Sequence, residues 1–199
     1  MKLTPRIRRV TAGAAIASAA ILLPAVALAS SAGGSSHTTA SQSAAHQSAA
    51  SVHRCTRGQL TSWLGIPGSG AAGSTFYELE ISNISGPTCT LYGYPGVSAT
   101  GGSGHQVGSA ARRNPGQPVL LVTLGHDQTA HVILQVTDVG NYSPSACHPV
   151  TADGLKVYAP GDYTAINVPF SFGACSRRGP VYLHVSSTVA GTGIPGYSV

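Results

Sequence analysis

The feature that most restricts the fold of this chain is the placement of its cysteines. Cys55, Cys89, Cys147 and Cys175 are the only four, and all lie well beyond the N-terminus. An even set of cysteines in an exported chain predicts a disulfide framework, here two bonds with three possible connectivities. Sequential pairing, Cys55 with Cys89 and Cys147 with Cys175, is the expected arrangement, because each bond would tie an irregular flank to a nearby strand. In the chain-entropy picture each such loop contributes about 3 to 4 kcal/mol. A tetrathiolate zinc site would need closely spaced CxxC pairs, which the sequence lacks.

Oxidation requires export, and the N-terminus predicts it. Lys2, Arg6, Arg8 and Arg9 precede an apolar run from Ala12 to Ala27, and Ala27-Leu28-Ala29 has the small-x-small form of a signal-peptidase site. Residues 1–29 are therefore expected to be a signal peptide. Residues 30–54, mostly Ser, Ala, Gly, Thr, Gln and His, offer little apolar surface to offset ordering entropy and read as a disordered spacer. With no lipobox cysteine and no apolar C-terminal tail, the mature protein is expected to be secreted, or loosely attached to the cell wall, with no membrane association after cleavage.

Charge then narrows the partners. Once the leader is set aside, seven basic residues face six acids, a net of +1. Nucleic-acid binding needs a clustered basic face that releases counterions, so that class is excluded as an expectation.

From Cys55 the sequence changes to short β-branched and aromatic runs separated by Gly, Pro, Asn and Asp. The clearest strand is Thr75 to Ser82, whose alternation turns Tyr77, Leu79 and Ile81 inward. Further strands are expected at 89–92, 96–99, 106–110, 119–123, 129–136, 155–158, 164–169 and 181–185, with turns at Asp153-Gly154 and elsewhere. One helical turn is expected near Gln59 to Leu64. Short strands broken by regular turns predict an all-β sandwich over 55–187, followed by a tail at 188–199.

Asn83-Ile84-Ser85-Gly86-Pro87-Thr88-Cys89-Thr90-Leu91-Tyr92-Gly93-Tyr94-Pro95-Gly96-Val97 resembles the signature of DUF4232, an actinobacterial family of exported domains of unknown function. The likeness extends to Cys55, Ala71-Ala72-Gly73-Ser74, Asn141-Tyr142, Leu155 to Gly161 and Cys175. It implies an immunoglobulin-like β-sandwich, extracellular placement and paired cysteines. It implies no catalytic residue, cofactor or ligand.

No G-x-S-x-G elbow occurs, and no metal or cofactor set is expected. His126 and His131 would face opposite sides of one strand. Glu78 and Glu80 lie side by side at roughly 7 Å on one strand face, whereas glycosidase carboxylates flank a cleft, so the pair reads as solvated surface. Trp63 is expected to cap the core.

The candidate binding surface is Tyr92, Tyr94 and Tyr142 with Arg112 and Arg113, since exposed tyrosines among Gly, Ser and Asn suit adaptable recognition. The expected function is a binding, adhesion or structural module for an unknown protein or a cell-wall glycan, not an enzyme; the alternative is a cell-wall-associated hydrolase. Limited proteolysis of the mature protein should cut first within 30–52. Resistance throughout that segment would overturn the spacer assignment.

Overall fold

A computed structural model describes residues 52–193. The expected leader (1–29), most of the expected spacer (30–51) and the last six residues lie outside the described residues. No helix among the described residues is long and apolar enough to cross a membrane.

The fold is mostly β. A 3₁₀ turn (Arg57–Gln59) leads into strands β1 (Leu60–Ala71), β2 (Ser74–Asn83), β3 (Cys89–Tyr92), β4 (Gly96–Thr100), β5 (Gln106–Val107), β6 (Arg112–Arg113), β7 (Leu121–Leu124) and β8 (Thr129–Thr137). A second 3₁₀ turn and one helical turn (Pro144–Cys147) precede β9 (Pro149–Tyr158), β10 (Ile166–Cys175), β11 (Leu183–Val185) and β12 (Val189–Ala190). The largest sheet runs β1-β2-β8-β11-β6, with β12 also paired to β8; a second runs β10-β9-β4-β5; β3 pairs with β7. All but the β11–β6 pairing are antiparallel.

Alternation explains the core. In β8, Ala130, Val132, Leu134 and Val136 are buried while the intervening residues are partly open. Leu79 and Ile81 of β2 are fully buried as their period required, and Tyr77 packs on the core's edge. Leu155, Val157, Ile166 and Val168 from β9 and β10 belong to the same apolar cluster.

Two local devices set the geometry. Ala72 and Gly73 both have positive φ (48° and 73°), which makes the β1–β2 connection a two-residue hairpin of the kind that matches strand twist. Asn141 Nδ2 and the Asp138 N–H both donate to Gly73 O, at 2.9 and 2.8 Å, and a Cβ on Gly73 would sit 2.5 Å from Asn141 Nδ2. Two separate pieces of the sequence signature thus meet. At the other end of β2, the Asn83 side chain is fully buried and donates to Pro87 O and Leu124 O (2.9 and 3.0 Å) while accepting from Ser85 N and Ser85 Oγ.

Both disulfides follow the sequential pairing, with Cα separations of 4.8 Å for Cys55–Cys89 and 4.5 Å for Cys147–Cys175. The first fixes segment 53–55 against β3, where the Cys55 N–H donates to Thr90 O and the Thr90 N–H to His53 O.

Several expectations need correction. The helical turn placed at Gln59 to Leu64 is a 3₁₀ turn ending at Gln59, because Leu60 onward pairs with β2. Asp153-Gly154 is no turn but strand interior, where Gly154 lies against Val168 O of β10. Pairing continues through Val189–Ala190, past the boundary drawn at Ser187. Trp63 is 41% exposed on β1 and does not cap the core.

Replacing Cys55 and Cys89 together by Ser should lower stability by about 2 to 5 kcal/mol in denaturant melts. Non-reduced peptide mapping that joins Cys55 to Cys147 or Cys175 would contradict the connectivity. Asn83→Ala, which leaves the buried Leu124 carbonyl without this donor, should cost about 1 to 3 kcal/mol by the same melts; an unchanged midpoint would count against the network's importance.

Candidate functional site

The β3–β7 pair builds a contiguous exposed apolar surface. Cys89 and Leu91 of β3 and Val122 and Leu124 of β7 must point inward, so strand parity drives Tyr92 and Leu121 outward. They are directly opposite in register, 62% and 65% exposed, and Leu120 beside them is 62% exposed. Behind this rim runs an open groove of about 400 Å³, walled by Pro118, Leu121 and Val122 on one side and Thr188, Val189 and Ala190 on the other. The Gln117 side chain enters it with a buried Oε1 that has no hydrogen-bond partner among the described residues.

The loop after β3 is anchored to the same wall. Gly93 O accepts from both Thr188 N (2.9 Å) and Thr188 Oγ1 (3.0 Å). Tyr94 follows, with the Arg113 guanidinium 5.5 Å from its ring centre, a cation–π contact. Arg112 and Arg113 are exposed on β6, paired with His184 and Val185. Burial, and then the Arg112 charge, hold the His184 imidazole below its usual pKa.

Tyr92, Tyr94 and Arg113 therefore share one region, and Arg112 adjoins it on β6. Tyr142 does not belong there: its ring packs against the core and its hydroxyl donates to Val181 O at 2.8 Å. Leu120 and Leu121 were missed as surface residues because the 119–123 run was read as a strand without assigning its faces. The inward demand of Val122 and Leu124 was the available signal.

The carboxylate pair departs from its expected setting. Glu80 is 3% exposed, not solvated, because the chain after β12 crosses the outer face of β2 and the Gly193 N–H donates to Glu80 Oε1 at 3.1 Å. Burial raises the Glu80 pKa, while His131 and the Gly193 N–H pull it down. His126 sits in the turn before β8 and not on one strand with His131. Among the described residues, no group of three His, Cys, Asp or Glu side chains is placed to hold a metal ion.

No curated protein and no solved structure matches this chain. A family model does, described as a domain of unknown function and covering residues 55–189, from the first cysteine to the first residue of β12. That stretch contains both disulfides, the buried Asn83 and every groove-wall residue but Ala190, and by it the chain belongs to the DUF4232 family.

Proposed function

We propose that this chain is an exported, immunoglobulin-like binding module whose ligand, a protein or a cell-wall glycan, rests on the Tyr92–Leu121 rim and the groove behind it. The observation carrying this reading is the outward Tyr92–Leu121 pair, opposite in register and extended by Leu120, which brings three exposed large apolar side chains together beside a groove. Contiguous exposed apolar surface beside a groove is characteristic of recognition sites. Tyrosine adds a hydroxyl to a rigid apolar ring, and Arg113 over Tyr94 adds a fixed cation nearby.

The immunoglobulin-like part is supported by connectivity. β2 lies beside β8 and β4 beside β9, so the chain returns across several intervening strands, as Greek-key folds do. Export is supported by the leader-like N-terminus and by two disulfides, which persist in oxidising compartments. The hydrolase alternative has less support: Glu78 and Glu80 share one strand, and Glu80 lies beneath Gly193, whereas paired catalytic carboxylates flank an open cleft.

Purified mature protein should be retained by cell-wall polymers or cross-link to a protein of the culture medium. Combined Tyr92→Ala and Leu121→Ser substitution should weaken that binding about tenfold or more, close to 1.4 kcal/mol, without moving the melting temperature. Unchanged binding in the double variant would displace the site. Turnover of a wall-polymer substrate by the wild type would overturn the module reading.

A further inference from the structure

The outer face of β2 carries a second arrangement, separate from the rim. Leaving β12, the chain forms a strap, Gly191 to Gly193, across Glu78 and Glu80. The Gly191 N–H donates to Thr129 O at 2.8 Å, and His131 Nδ1–H donates to Gly191 O at 2.8 Å. The Gly193 N–H reaches Glu80 Oε1. A Cβ at position 193 would lie 2.2 Å from Glu78 Oε2 and 2.8 Å from His131 Cδ2, so the strap passes closely over the place where the two carboxylates and the imidazole converge.

These carboxylates are incompletely satisfied. Glu78 Oε2 and Glu80 Oε2 are both buried without a hydrogen-bond partner among the described residues. A buried ionised oxygen with no donor is costly, whereas a protonated oxygen becomes a donor itself. A proton on Glu80 Oε2 would leave Oε1 free to keep accepting from Gly193. The groups facing Glu80 are few. Glu78 shares its strand, β8 presents His131, β1 presents Trp63 in register, and the strap carries no titratable side chain. His184 and Arg112 lie further along, level with Gln135, four residues from His131 on β8.

We propose that Glu78, Glu80 and His131 form a proton-operated clasp on the strap Gly191–Gly193, closed when the carboxylate pair takes up one proton from solvent and released when that proton is lost. The direction follows from linkage. Burial raises the Glu80 pKa in the closed form, so closure is fully favoured below the open-form value and is lost as pH rises through the closed-form value. Between the two, the closed-to-open ratio falls about tenfold per pH unit. Val189 and Ala190, a wall of the groove, directly precede the strap, so the clasp also positions that wall. This last step rests on the proposed binding site; the clasp does not.

Trp63 is the protein's single tryptophan and lies opposite Glu80, so it reports on the clasp. In the intact protein, its emission and the exchange protection of the Gly193 amide, corrected for intrinsic exchange, would be followed from about pH 4 to 8. Both should change with one midpoint above the ordinary glutamate value of 4.5. Glu80→Gln should abolish the transition and hold the strap protected throughout, and Glu78→Gln should lower the midpoint. Flat protection in the wild type, or an unaltered midpoint in both variants, would overturn the clasp. Calcium chloride restoring the protected form at neutral pH would overturn it in favour of a cation site. Should the variants fail to fold, the carboxyl carbon signal of Glu80 in the wild type decides, and a midpoint at or below the ordinary value refutes the proposal. Ligand affinity that follows the same midpoint supports the coupling to the groove; constant affinity across a Gly193 transition refutes the coupling alone.

Discussion

The structure depends most on one buried amide. Asn83 ends β2, and its side chain makes four hydrogen bonds that bind Ser85, Pro87 and Leu124 into one junction. Its backbone adds two more, donating to Gln128 O and accepting from the Asp127 N–H. A fully buried polar group is tolerated only when satisfied, and here satisfaction requires that β2, the Pro87 loop, the end of β7 and the turn into β8 all be in place. The junction sits six residues before Cys89, so the first disulfide and the amide fix the same corner by different means. With β3 held there, Tyr92 and Leu121 are delivered to the surface by strand parity alone.

Electrostatics contributes little to this scaffold. The one side-chain contact of salt-bridge length among the described residues joins the exposed neighbours His126 and Asp127, and even fully charged exposed pairs are worth at most about 1 kcal/mol. Asp162 illustrates what replaces ion pairs: its carboxylate accepts from the backbone N–H groups of Thr164 and Arg57, and those bonds, Thr164 first, hold its pKa below the usual range. Cross-links, apolar burial and backbone-directed polar bonds together carry the fold.

Much of this could be read from the chain because alternation and turn chemistry are local. The inward faces of β2 and β8, the sequential disulfides and the family signature all follow from residues close in sequence. Several departures come from contacts that the local pattern does not report. Leu60 to Ala71 reads ambiguously, with Gly65, Pro67, Gly68 and Gly70 in a row, and becomes a strand by pairing with β2. Tyr142 looks like a surface aromatic until Val181 offers its hydroxyl a carbonyl. Glu80 has the solvent-side parity expected of it, yet a strap from more than a hundred residues away covers it.

That last case bears on how the chain distributes stability and function. An apolar residue at position 80 would sit under the strap without orphaned oxygens, and replacing buried charge by well-packed apolar groups is often neutral or stabilising. The buried carboxylates therefore carry a stability cost that the fold itself does not require. Sequence rules tend to fail at strained or functional places, because consistency between local preference and final structure is relaxed there. Both glutamates and the groove walls up to Val189 lie within the family's matched stretch, whereas Ala190 and the strap Gly191 to Gly193 lie just beyond it. Both carboxylates thus fall inside the matched stretch, and the segment that covers Glu80 follows it in sequence.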